Sequence, residues 1–243
     1  MRSGVNYAHL VADRIGAQLT DLSVSGATLL NLLNEPQSML GLHTFPPQVS
    51  ELPADTDVVL VLGGGNDVGY VLTVMRESVV ATYSVLRWIL GAAQWATGGG
   101  DQKPDWPDVN GLAARYGTVL DAIHTRAPKA QVVVVEYLTI FGPDDNASGI
   151  AFEAGRVEHH REVAGVVQQA TVKAVQGRQE WCTRIPAASL SEEHGVGSPE
   201  PWVAGLDLLH LWKFSAWHPN AEGHKAVAEM IYQTLLDKGL ISA

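Results

Sequence analysis

The run Leu60-Val61-Leu62-Gly63-Gly64-Gly65-Asn66-Asp67 constrains this chain more than any other stretch. Val58 to Leu62 is an unbroken series of valine and leucine with no polar alternation. Such a series suits a parallel strand buried on both faces, because neither face meets water. Three glycines follow, and they let the backbone turn sharply and approach closely whatever lies at the strand's carboxyl end. In open α/β sheets that end is where ligands bind. Asn66 arrives there with a side-chain amide able to donate, and Asp67 is placed to pin the turn. Taken alone, the segment reads equally well as an ordinary βα turn with Asn and Asp as turn formers.

The flanking sequence supplies a sheet for that turn. Asn6 suits the N-cap of a helix whose Tyr7, Leu10, Val11 and Ile15 share a face, and Gly16 suits its end. Gln18 to Val24 reads as a strand, Leu29 to Leu33 as a short helix before Pro36, and His43 to Gln48 as a proline-marked surface loop. Val71 to Ala96 carries a long helical pattern bent near its middle, and Gly98 to Pro107 a loop. Val109 to Thr125 reads as a helix with Leu112, Tyr116, Val119, Leu120 and Ile123 on one side, stopped by Pro128. Val132 to Tyr137 is a second buried strand, followed by a loop from Phe141 to Asp145. Phe152 to Val175 reads as a helix, Trp181 to Ile185 as a weaker strand, and Ser189 to about Leu208 as a long loop. Pro219-Asn220 opens a last helix that packs through Val227, Met230, Ile231 and Leu235. Strands alternating with helices imply a mostly parallel sheet with helices on both faces. No repeat or linker divides the chain, so residues 1–243 read as one domain.

Composition excludes several classes of function. The formal charge of −10 argues against nucleic acid or an anionic membrane surface as a partner. Cys182 is the only cysteine, so neither an internal disulfide nor a cysteine metal site is available. No apolar stretch is long enough to span a bilayer. The chain as written opens almost directly into a helix, with no signal peptide, and the compartment stays open. The histidines show no metal-ligand spacing, and no metal or cofactor is expected.

One histidine stands apart. His218, in Ser215-Ala216-Trp217-His218-Pro219-Asn220, precedes the last helix at a loop-to-helix junction near the carboxyl edge of the sheet. A proton shuttle can meet a substrate there, although a capping or packing histidine fits the same position.

Gly26 after the second strand, Gly64-Gly65-Asn66-Asp67 after the third, and His218-Pro219-Asn220 before the last helix resemble three of the four blocks of the SGNH (GDSL-like) hydrolases. Their order and spacing fit, and the resemblance spans nearly the whole chain. Arg2 to His9, Asp21 to Thr28, Phe45 to Gln48 and Glu200-Pro201-Trp202 resemble the actinobacterial-type esterases of that family. The resemblance implies a flavodoxin-like three-layer α/β/α sandwich and hydrolysis of a small-molecule ester by a serine nucleophile, without a cofactor. By position, the N–H of Gly26 and the amide of Asn66 resemble the oxyanion-hole donors, and His218 the general base. The residue types suit the chemistry: a tetrahedral oxyanion needs fixed donors, and a histidine can take the serine proton and return it to the leaving alcohol.

Two departures from that family's pattern shape the reading. Ser215 occupies the place of the acid three residues before His218, so the carbonyl of Ser215 is the expected partner of the imidazole. The Gly-Asp-Ser block is absent from the whole sequence. In the family it ends a first strand that lies inside the sheet, ahead of the helix that begins here near Asn6. The first strand is therefore expected to be missing, the domain to be truncated at its N-terminus, and the full protein to extend about one strand and a loop further upstream. Ser25, at the end of the second strand, is the only serine beside a matched block, at a place where the family has no nucleophile. The main reading is an SGNH-type esterase or lipase whose nucleophile is not in this chain. The alternative is a non-catalytic relative that binds an ester or a glycan.

Overall fold

The computed structural model describes residues 4–39, 43–83, 106–144, 148–150, 152–207 and 215–242. Helix α1 (Tyr7–Ile15) starts at Asn6, whose side chain accepts the N–H groups of Ala8 and His9 at 3.0 and 3.1 Å. Gly16, at φ +64°, ends it. The segment from Gln18 to Val24 was expected as a strand, but no strand of the described residues pairs with it. A strand is defined by a neighbour that takes its N–H and C=O groups. A cavity of about 760 Å³ lies alongside this segment, against the next strand of the sheet.

Helix α2 (Leu29–Leu33) is set by a capping box in which Thr28 and Asn31 each bond the other's backbone N–H. Of the stretch from His43 to Gln48 expected as a surface loop, the first part instead forms strand β2 (His43–Phe45), which pairs antiparallel with β1 (Gln37–Met39). Pro46 and Pro47 come after β2, where no ladder N–H is required of them. A one-turn helix α3 (Gln48–Glu51) leads to β3 (Val58–Val61).

Helix α4 (Tyr70–Thr82) realises the first part of the long helical pattern. The remainder of that pattern from residue 84, and the glycines at 98–100, lie outside the described residues. Then follow α5 (Val109–Arg126), β4 (Gln131–Val135), α6 (Arg156–Val175), β5 (Cys182–Ile185), α7 (Ala187–Leu190) and α8 (Ala221–Asp237). Helix α6 begins later than its hydrophobic pattern. Gly155 stands at φ +76° just before it, and Phe152 packs edge-on against Phe141 instead.

Strands β3, β4 and β5 form a parallel sheet with β4 in the middle, Val58 opposite Gln131 and Val132 opposite Cys182. The four valines from Val132 to Val135 are at most 1% exposed, as expected of a strand covered on both faces. Helix α6 packs on α5, α4 and β5, while α8 packs on α1 and also on β5. The result is a three-layer α/β/α sandwich. Its core is one contiguous cluster running from Val11 to Leu235.

Candidate active site

The turn after β3 takes the shape its glycines permit. Gly64 lies at φ +86°, and a Cβ on Gly65 would sit 2.8 Å from the ring of Tyr137. Asn66 to Val68 then form a single 3₁₀ turn. The Asn66 side-chain amide donates to the carbonyl of Ala27 at 2.9 Å, 39 residues earlier in the chain. That bond leaves the second amide hydrogen of Asn66 for another acceptor. Gly26, at φ +80°, is the residue before Ala27, so the two glycine-marked turns meet.

Asp67 holds the junction. Its carboxylate accepts the N–H of Leu29, at the start of α2, at 2.9 Å, and meets Arg115 at 3.4 Å. The side chain is almost wholly buried, and burial raises its pKa above the usual carboxylate range against the pull of those two partners.

His218 is half-buried at the entrance to α8, whose N-cap Asn220 accepts the N–H of Gly223 at 2.9 Å. Its Nδ1 lies 2.8 Å from the carbonyl of Ala216. The expected partner was the carbonyl of Ser215, but that oxygen accepts the backbone N–H of His218 at 3.3 Å instead. Trp217 accounts for the difference. It stands at φ +63°, and the tight turn this makes brings residue 216 under the imidazole.

The Trp217 indole is buried, and its N–H donates to the hydroxyl of Ser78 at 3.0 Å. A second strap runs alongside. Ala204 accepts the N–H of Trp217 and donates to the carbonyl of His218, and Trp202 accepts the N–H of Asn220, all within 2.9 Å. Ser78 and Ala204 were not legible in the sequence, because their roles depend on partners far along the chain. Nearby, Trp202 stacks on the ring of His194 with centroids 3.8 Å apart.

Gly26 and Asn66 are therefore brought together directly. No hydrogen bond among the described residues joins His218 to Asn66, and its own partners are Ala216, Ser215 and Ala204. Burial, and then the charge of His218, lower the pKa of His224, whose ring lies 6.1 Å from that of Tyr7. Burial, and then the neighbouring Tyr137, raise the pKa of Tyr7, while Tyr137, whose hydroxyl bonds Gly65, is itself pushed up to about 12, chiefly by burial. Ser25 has an exposed side chain, and its carbonyl accepts the amide of Gln37 at 2.9 Å. The described residues contain no cluster of side chains able to hold a metal ion.

The model of the GDSL-like Lipase/Acylhydrolase family matches residues 1–226. Lipase 2 of Streptomyces coelicolor is 26% identical over 238 residues, covering 94% of this chain and 75% of that relative. Among solved structures, an extracellular lipase from Streptomyces rimosus superposes with a TM-score of 0.64 at 22% identity, covering 96% of this chain and 87% of the other. A phospholipase A1 from Streptomyces albidoflavus gives 0.63 at 18% identity, covering 96% and 86%. At these identities the two structures establish likeness of fold.

Proposed function

The chain belongs to the GDSL-like lipase/acylhydrolase family, and on that premise we propose that it is a serine hydrolase of carboxylic esters whose nucleophile is not among residues 1–243. The observation that carries this reading is the bond from Asn66 to the Ala27 carbonyl, which sets a side-chain amide beside the turn of Gly26. In the proposed reaction, the Gly26 N–H and the second Asn66 amide hydrogen receive the oxyanion of the tetrahedral intermediate. His218 takes the serine proton at Nε2 and returns it to the departing alcohol, while its Nδ1–H is held by the Ala216 carbonyl. A neutral carbonyl stabilises the transient imidazolium less than a carboxylate does, so turnover is slow for this chemistry.

The absence of any Gly-Asp-Ser sequence favours a second reading, a relative that keeps the pocket and binds an ester or glycan without cleaving it. Hydrolysis of short p-nitrophenyl esters separates the two. A form preceded by an apolar strand ending in Gly-Asp-Ser is expected to hydrolyse them and to react with a fluorophosphonate probe, and His218→Ala to lower its rate about 10³-fold or more. Residues 1–243 alone are expected to show no turnover above their own His218→Ala control. If the preceded form binds an ester analogue but never turns over, the second reading holds. If residues 1–243 react with the probe and Ser25→Ala abolishes the reaction, Ser25 is the nucleophile.

A further inference from the structure

Val24 to Ala27 form a reverse turn, closed by the N–H of Ala27 donating to the carbonyl of Val24 at 3.2 Å. Gly26, third of the four residues, stands at φ +80°, and Ser25 before it has a negative φ. That combination defines a type II turn. A type I turn over the same residues differs in the peptide that joins residues 25 and 26. That peptide is turned over, so that its C=O and N–H exchange sides. Glycine is at ease in both forms, so Gly26 permits the observed turn without selecting it.

Gln37 supplies the selection. Its side-chain amide donates to the carbonyl of Ser25 at 2.9 Å, and its Nε2 lies 3.7 Å from the place of a Cβ on Gly26. The reverse orientation of the amide would set two oxygens against each other. Gln37 Oε1 is buried and has no hydrogen-bond partner among the described residues, so there the bond to Ser25 alone holds the amide. The backbone of Gln37 is itself fixed, opposite Phe45 in the pairing of β1 with β2. The Ser25–Gly26 peptide is trans, so its N–H points away from its C=O. With the carbonyl drawn toward Gln37, the Gly26 N–H leaves the far side of the turn. No group among the described residues accepts it. Two side-chain amides thus grip one turn, Gln37 at the Ser25 carbonyl and Asn66 at the Ala27 carbonyl.

We infer that Gln37 is a positioning residue, whose amide holds the Ser25–Gly26 peptide in the orientation that presents the Gly26 N–H as an unengaged donor. The same bond polarises the peptide and makes that N–H a stronger donor. Its value for ester cleavage rests on the reading above, in which Gly26 receives the oxyanion. The orientation of the peptide does not depend on that reading.

Gln37→Met and Gln37→Glu remove the donor at nearly constant size. In residues 1–243 the turn is read by NMR, from the nuclear Overhauser effect between Ser25 Hα and the Gly26 N–H. That effect is strong in a type II turn and weak in a type I turn. It is expected to be strong in the wild type at every pH and weak in Gln37→Met. In Gln37→Glu it should be weak above about pH 6, where the carboxylate can only accept, and recover below about pH 4, where the acid O–H donates to the Ser25 carbonyl. Recovery within one variant separates orientation from misfolding, and the amides of Val133 and Val134 should stay protected throughout. A strong effect in Gln37→Met overturns the inference, as does an effect in Gln37→Glu that does not change with pH. Butanoate, a carboxylate that cannot be cleaved, tests the catalytic reading separately. It is expected to shift the Gly26 N–H and Asn66 side-chain resonances of the wild type, and to bind Gln37→Met about fivefold more weakly. If the turn responds as stated but butanoate moves neither resonance, or binds both proteins equally, Gln37 keeps its role and Gly26 is discarded as the oxyanion donor.

Discussion

The indole N–H of Trp217 donates to the hydroxyl of Ser78 at 3.0 Å, joining residues 139 positions apart. Ser78 is fully buried in α4 and passes its own proton to the carbonyl of Met75 at 2.8 Å. Trp217 is bulky and stands in the left-handed region, where an L residue costs about 1–2 kcal/mol. The conformation persists because the indole is anchored, and it is this conformation that turns His218 toward Ala216.

Ser78→Ala removes the acceptor while leaving the indole buried. An unpaired buried N–H costs about 1–3 kcal/mol, which for a chain of this size lowers Tm by roughly 2–10 °C. Thermal unfolding checks it. The indole N–H resonance of Trp217 should shift in the same variant, and a variant indistinguishable from wild type in both would show that the bond contributes nothing.

The sequence allowed the sheet to be read wherever one residue type sufficed. The valines of β4 and the five large buried side chains of α5, Leu112, Tyr116, Val119, Leu120 and Ile123, announce themselves by apolar runs and helical spacing. The pairing of β1 with β2 did not, because Gln37, Ser38, His43 and Thr44 carry no hydrophobic alternation and the adjacent prolines look like loop. Gln18 to Val24 misled in the other direction, since its residues favour a strand but a strand needs a neighbour. At the candidate site, Asn66 was legible as an amide just past the end of a buried strand and His218 as a histidine just before the last helix. The Ala216 carbonyl was not, because a backbone oxygen has no letter in the sequence and the φ of Trp217 decides which one arrives.

Gly223 is the tightest glycine of the site. A Cβ there would lie 2.1 Å from the carbonyl of Trp202, the same oxygen that accepts the N–H of Asn220. Gly223→Ala must therefore push α8 off the strap that holds residues 217 to 220. A loss of about 1–3 kcal/mol is expected, read as a lower urea midpoint with an unchanged slope. The His218 ring resonances should move as well. Gly165→Ala, on the partly exposed face of α6 where the nearest side-chain atom is 3.8 Å from the new Cβ, is the control that should be neutral or slightly stabilising.

Asp67 gives the protein a pH dependence of defined sign. Its folded pKa is raised from 3.8, chiefly by burial, so the folded state holds the proton more tightly than the unfolded chain. Stability from this group is complete below pH 3.8 and is lost as pH rises through the higher folded value. Asp67→Asn cannot ionise, and its oxygen can still accept the N–H of Leu29. The unfolding free energy of the wild type relative to Asp67→Asn should fall as pH climbs from 3.8, then level off. Asp121, held below 3.8 chiefly by its hydrogen bond to Arg178, should show the opposite slope against Asp121→Asn, gaining stability over the range below 3.8. Denaturant titrations across the acid range decide both.

The last expectation concerns the proton on His218. Its Nδ1 faces the Ala216 carbonyl at 2.8 Å, and a carbonyl oxygen can only accept. The neutral ring must therefore carry its hydrogen on Nδ1 and leave a lone pair on Nε2, the tautomer a general base requires. Nitrogen NMR of the ring should show a protonated Nδ1 and an unprotonated Nε2 at a pH where the ring is neutral. Ser215→Ala should leave that pattern unchanged, because the Ser215 carbonyl bonds the His218 backbone N–H and any residue supplies a carbonyl there. Ser78→Ala should instead blur it, since loss of the indole anchor frees the turn that brings Ala216 under the ring. A spectrum with the hydrogen on Nε2 in the wild-type protein would remove His218 as a base acting through that nitrogen, and with it the proton route proposed for ester cleavage.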